Sequence, residues 1–140
     1  MKLKKSDFYI VCSNSDGKEK KAVKASGYIF RKNGHWFSIR KRNPDEESDY
    51  NKKWIISDFV TGLVMTSTDN KLDDVPDALS DNLIDELIEF YKDDSTSIYR
   101  RESTIEEFQR YAQMINDAML RDGKDKLIDL LKDSAYELYR

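Results

Sequence analysis

The stretch Tyr28-Ile29-Phe30-Arg31-Lys32-Asn33-Gly34-His35-Trp36-Phe37-Ser38-Ile39 decides the fold. Asn33 and Gly34 both tolerate the positive φ that a two-residue type I′ turn requires. With that turn, Lys32 faces His35, Arg31 faces Trp36, Phe30 faces Phe37 and Tyr28 faces Ile39. Side chains alternate across a strand, so Phe30, Phe37, Tyr28 and Ile39 share one face. Arg31, Trp36, Ile29 and Ser38 share the other. Cross-strand pairs of this kind stabilise a sheet by a few tenths to about 1 kcal/mol each. The aromatic face is the one expected to pack on helices, and the face with Arg31 and Trp36 is expected to stay exposed.

The pattern extends on both sides of this hairpin. Asp7 to Ser13 alternates as a first strand, and Asn14-Ser15-Asp16-Gly17 supplies turn chemistry after it. Lys18 to Lys24 is basic and suits an edge strand, because lysines blunt exposed edges. Residues 41–53 are polar and without period, the reading of a loop. Trp54-Ile55-Ile56-Ser57, a turn near Asp58 to Gly62, and Leu63-Val64-Met65-Thr66 make a second hairpin, with Gly62 free to take positive φ.

Beyond residue 66 the period changes from two to that of a helix. A helix over about 76–92 starts at Pro76, which suits a first turn. Its stripe is Leu79, Leu83, Leu87 and Tyr91, with Ile84 and Ile88 beside it. Ser103-Thr104-Ile105-Glu106 is a capping box that opens a second helix over about 104–122. Ile105, Phe108, Ala112, Ile115 and Met119 recur along it until Asp122-Gly123 ends it. A third helix over about 124–139 carries Leu127, Leu131 and Leu138. The expected fold is therefore α+β: an antiparallel meander of four to five strands over about 7–66, then three α-helices. At 140 residues the chain is expected to form a single domain over 1–140.

The division by period is also a division by charge. Residues 1–66 hold 14 Lys/Arg and 8 Asp/Glu, while residues 67–140 hold 10 and 19. The halves carry about +6 and −9 within a total of −3. A basic, aromatic sheet joined to an acidic helical half is the profile of a binding protein. No apolar run approaches the roughly 20 residues of a membrane span, and no signal peptide follows Met1. The expectation is a cytoplasmic protein with no membrane partner.

Motifs for chemistry are scarce. His35 is the one histidine and Cys12 the one cysteine, which leaves no His pair and no Cys-based zinc site. His35 reads as a turn-flanking residue and Cys12 as a small core residue. Asp7 with Glu19-Lys20-Lys21 has the spacing of a metal nuclease, but Glu19 sits in a lysine-rich, poorly apolar stretch. Asp45-Glu46-Glu47-Ser48-Asp49 and Asp93-Asp94 offer oxygen ligands without calcium-loop spacing. No cofactor, no metal and no enzymatic activity are expected.

Two charged surfaces remain. Asp81, Asp85, Glu86 and Glu89 lie opposite the apolar stripe of the first helix, and Asp73, Asp74, Asp77, Asp93 and Asp94 add to them. Such a surface suits a groove built for phosphate, although any amphipathic helix also needs a polar face. On the sheet, Lys24, Arg31, Lys32, Arg40, Lys41, Arg42, Lys52 and Lys53 flank Tyr28, Trp36, Phe37 and Trp54. Cations that track phosphates beside aromatics that stack on bases make a nucleic-acid surface. Arg31, Trp36, Arg40 and Lys53 are its candidate residues. Basic and acidic halves of two copies could also meet, giving a homo-oligomer.

The run Trp54-Ile55-Ile56-Ser57-Asp58-Phe59-Val60-Thr61-Gly62-Leu63-Val64 resembles a strand–turn–strand segment of small accessory proteins of bacteriophages and mobile elements. The resemblance covers about residues 27–92 and is carried by Trp54, Thr61, Gly62 and Leu63. It implies a phage or plasmid context, where small acidic proteins inhibit host nucleases and CRISPR effectors. The reading that combines it with the charge division is a non-enzymatic interaction protein. Its partner would be a basic, nucleic-acid-handling host or defence protein, bound through charge complementarity in an anti-CRISPR-like manner. The alternative is a nucleic-acid-binding module that uses the basic aromatic sheet.

Overall fold

Asn33 and Gly34 both hold positive φ, 52° and 79°. The hairpin they close has the register read from the sequence, with Tyr28 opposite Ile39, Phe30 opposite Phe37, Arg31 opposite Trp36 and Lys32 opposite His35. The structure is a computed structural model that describes residues 3–13, 20–43, 50–93 and 105–122. Within them lie strands β1 (Lys4–Ser13), β2 (Lys20–Lys32), β3 (His35–Lys41), β4 (Trp54–Asp58) and β5 (Val64–Thr68). A 3-10 helix (Leu72–Ala78) and helices α1 (Asp81–Asp93) and α2 (Ile105–Arg121) follow. The strands form one antiparallel sheet in the order β1-β2-β3-β4-β5, an α+β meander.

The aromatic face of the hairpin is the core. Phe30, Phe37, Ile39, Trp54, Ile56 and Met65 pack with Val75 of the 3-10 helix, with Leu79, and with Ile84 and Leu87 of α1. Phe30 and Phe37 stack with ring centroids 5.5 Å apart. Such a pair adds about 0.5–1.5 kcal/mol beyond the area it buries.

The other face is largely covered: Arg31 stays exposed as expected, but Trp36 does not. Phe8, Ile10 and Ile29 pack with Ile115, Ala118 and Met119 of α2, and Trp36 lies half-buried against them. Tyr9 donates its hydroxyl to the Asp122 carboxylate at the end of α2. Ser38 and Ile55 are also buried, and all five residues of β4 are. The sheet is thus covered on both sides, by the 3-10 helix and α1 on one and by α2 on the other. A strand buried on both faces reads as a continuous apolar run, and Trp54-Ile55-Ile56 is that run.

The helix expected over about 76–92 is divided in two. Ser80 caps α1, its hydroxyl accepting the Leu83 N–H at 3.2 Å. The Lys32 ammonium donates to the carbonyls of Pro76 (3.0 Å) and Leu79 (2.6 Å) at the break. The Pro76 carbonyl also accepts the Leu79 N–H at 3.2 Å, and the cation supplies the Leu79 carbonyl with a donor where the 3-10 helix stops. The lysine-rich stretch expected as an edge strand is the first part of β2. Lys20 to Gly27 pairs with β1 alone, and β3 joins only from Tyr28. The third expected helix, 124–139, lies outside the described residues.

The sheet curls until β1 meets the turn between β4 and β5. Val11 N–H donates to the Gly62 carbonyl at 3.3 Å. A Cβ on Gly62 would meet Val11 N at 2.6 Å and Ile10 Cα at 2.8 Å, and its φ is +68°. Gly34 also has positive φ but open space around it. Gly62→Ala is therefore expected to lower stability by roughly 2–4 kcal/mol, combining backbone strain with overpacking. Gly34→Ala carries the backbone cost alone, about 1 kcal/mol. Urea unfolding of the two variants measures the difference, and equal losses would refute the contact between β1 and the turn.

Candidate functional site

A buried polar cluster sits where β3 begins and β4 ends. His35 Nε2 and Asp58 Oδ1 are 2.9 Å apart, and both side chains are almost fully enclosed. The carboxylate of Asp58 can only accept, so Nε2 carries the hydrogen. Thr61 Oγ1 donates to Asp58 Oδ2 at 2.9 Å, and the Val60 N–H to Oδ1 at 3.2 Å. His35 flanks the turn as expected, yet it belongs to the core and stands 5.1 Å from the Phe37 ring.

Histidine, carboxylate and hydroxyl together suggest a catalytic relay, but the order is wrong for one. In a nucleophile relay the imidazole takes the hydroxyl proton and the carboxylate holds the imidazole. Here the hydroxyl and the imidazole both donate to the same carboxylate. No ring nitrogen accepts from Thr61, and all three residues are buried away from solvent. The cluster is a tie across the β4–β5 turn, with Asp58 N–H bonded to the Leu63 carbonyl and Gly62 N–H to the Asp58 carbonyl, both at 2.9 Å.

Other chemistry weighed from the sequence does not assemble among the described residues. No group of three His, Cys, Asp or Glu is placed to hold a metal ion there. Asp7 is engaged by Ser26 Oγ at 2.7 Å and Lys24 Nζ at 3.7 Å. Glu19 and residues 45–49 lie outside the described residues. Cys12 sits in β1 opposite Lys21. No helix among the described residues is long and apolar enough to cross a membrane.

The acidic candidates are on α1. Asp81, Asp85 and Glu89 are exposed, and their spacing of four sets them in one row along the helix. Glu86 is half-buried and lies off that row. Asp81 accepts from the Asn33 amide at 3.1 Å, which pins the start of the row to the hairpin turn. Asp73, Asp74 and Asp77, all exposed, continue the charge along the 3-10 helix. Among the described residues, Asp85, Glu86 and Glu89 form no ion pair.

The basic candidates do not form one surface. Arg31 near the end of β2 faces Trp36 near the start of β3, Arg40 is half-buried on the α2 face opposite Ile55, and Lys53 lies at the far end beside Lys41. Arg40 is already engaged within the chain. Lys53 instead belongs to a concavity of about 260 Å³ lined by Lys41, Arg42, Asn51, Lys52 and Lys53. Three of these residues were in the broader basic set but not among the four chosen. The overlooked signal is a pair of dibasic steps, Lys41-Arg42 and Lys52-Lys53. An antiparallel pairing brings the two steps together, as the bond from Arg42 N–H to the Lys53 carbonyl (2.8 Å) shows.

Comparison with protein-family models, with curated proteins and with solved structures finds no match for this chain.

A structural role for the buried cluster has a direct test. Asp58→Ala leaves His35 and Thr61 without their acceptor in the core, and is expected to lower stability by about 3 kcal/mol or more. Thr61→Val removes one of the three donors and is expected to cost about 1 kcal/mol. Thermal unfolding followed by circular dichroism gives both values, and a variant Asp58→Ala as stable as the parent would refute the tie.

Proposed function

We propose that this chain is a non-enzymatic interaction protein whose acidic row on α1 docks into a basic surface of a macromolecular partner. The observation that carries the reading is the row itself: Asp81, Asp85 and Glu89 in line, exposed, on a helix held firmly to the core. Ile84 and Leu87 bury the opposite side of α1, the Ser80 cap sets its first turn, and Lys32 holds the break before it. Charges on a rigid element lose little freedom when they bind, so more of their attraction reaches the measured affinity.

A row of carboxylates at helical spacing recurs about every 6 Å. It complements a surface on which Lys and Arg are spread in a line, as they are where a protein tracks a phosphate backbone. That makes a nucleic-acid-handling protein the partner class. The resemblance of Trp54 to Val64 to phage and mobile-element proteins directs the search to bacterial proteins of that class, with inhibition by occupying the groove as the mechanism.

The test is capture from bacterial lysate at low and high salt, with nuclease treatment in parallel. The partner is expected to stay bound after nuclease and to leave with salt. A variant carrying D81N, D85N, E86Q and E89Q keeps the Asn33 acceptor while removing four charges. It is expected to lower affinity for the captured protein at least about tenfold at low salt, with the gap narrowing as salt rises. Equal affinity of parent and variant would rule out the acidic row as the contact.

A further inference from the structure

The concavity at the end of the β3–β4 hairpin has no part in the acidic reading, and it has the chemistry of a phosphate site. Its lining is Lys41, Arg42, Asn51, Lys52 and Lys53, four cations and an amide around about 260 Å³. Lys41, Lys52 and Lys53 are exposed, so their ammonium groups reach solvent and ligand alike.

The cations are placed by the fold. Trp54 is buried in the core, and the ammonium groups of Lys41 and Lys53 lie 5.7 and 5.5 Å from its ring centroid. The ring's negative face attracts both and holds two flexible side chains at the same rim. The Arg42–Lys53 backbone bond extends the ladder one step past the strands, which fixes the two dibasic steps side by side. Asp69 accepts the Lys53 N–H at 2.9 Å, and so anchors the backbone of Lys53.

Four cations in one groove exceed what a single small anion needs and suit a repeated one. A duplex keeps its bases stacked on one another and offers an exposed aromatic no free base face. A single strand fits, because cations can follow its phosphates while an aromatic offers a face to a base. Tyr50, next to Asn51, is one of the two large apolar side chains among the described residues that stand exposed. We infer that Lys41, Lys52 and Lys53, in the concavity that Arg42 also lines, form a binding site for the phosphates of single-stranded nucleic acid.

The experiment is fluorescence anisotropy of the full chain with labelled oligo-dT and oligo-U of about 15 nucleotides. Between roughly 50 and 200 mM salt the parent is expected to bind with a log–log salt slope of about −2 to −3, as three or four phosphate contacts on a single strand require. The variant K41Q/K52Q/K53Q is expected to lose at least about tenfold in affinity and to flatten the slope by about 2. The variant K20Q/K21Q/K24Q removes the same charge from β2 and is expected to bind like the parent. Circular dichroism of both variants confirms that they fold.

Three results would overturn the assignment. The first is no salt-dependent binding by the parent. The second is equal loss in the two variants, which would mean attraction to net charge and not to the groove. The third is assembly of the parent at low salt in sedimentation, abolished by K41Q/K52Q/K53Q, with no strand bound. That result would assign the groove to the acidic row of a second copy. The first two results do not bear on whether the acidic row binds a separate protein.

Discussion

A one-residue slip at Asn33-Gly34 would carry the side chains of one strand of the β2–β3 hairpin to the opposite face relative to the other. The turn prevents it, because its two positive φ values fit Asn and Gly and few other pairs. Much of the molecule hangs on the three residues beside that turn. Lys32 satisfies the carbonyls at the break between the 3-10 helix and α1, and Asn33 bonds Asp81 at the first turn of α1. His35 reaches Asp58 at the end of β4. The hairpin therefore sets the core face, the position of the acidic helix, and the tie that holds the β4–β5 turn. Each of these contacts would be lost by a shift of register, so the register is specified many times over.

The second constraint is the approach of β1 to that same turn. Strands that twist and coil bring distant parts of a meander together. Here the curl brings the backbone of Ile10 and Val11 against Gly62, where no Cβ is tolerated. Asp58 shapes the turn from inside, accepting from His35, Val60 and Thr61, and Gly62 admits β1 from outside. The two features explain Asp58-Phe59-Val60-Thr61-Gly62 without catalysis.

The strand order, the hairpin register and the approximate span of α2 were legible in the sequence because each rests on local chemistry. Turn residues, strand alternation and the helical spacing of Ile115 and Met119 act within a few positions of one another, while the capping box Ser103–Glu106 begins outside the described residues. What was not legible rests on contacts distant in the chain. The burial of His35 depends on Asp58, which the meander alone delivers. The break at Leu79 depends on a lysine far earlier in the chain. The cover over the second face comes from α2, although Trp54-Ile55-Ile56 already signalled a strand buried on both sides. Among the site residues, Asp81, Asp85 and Glu89 share a row as the helical period required. Arg31, Trp36, Arg40 and Lys53 share only charge and aromatic character, and the sheet places Arg31 and Trp36 at one end of the β2–β3–β4 ladder and Lys53 at the other.

The division of charge along the sequence becomes a division in space. The acidic row begins beside Asn33, just before β3, and the basic groove lies at Lys41, where β3 ends. At about 3.3 Å per residue, a strand of seven residues puts the Asp81 end of the row about 20 Å from the groove. That distance exceeds the screening length of about 8–10 Å at ordinary ionic strength, so neither region cancels the other. Their proximity in one small chain is then no reason for mutual neutralisation. The fold keeps the two surfaces apart through the same β3 that anchors its core, so neither can be moved without disturbing the hairpin on which the rest is built.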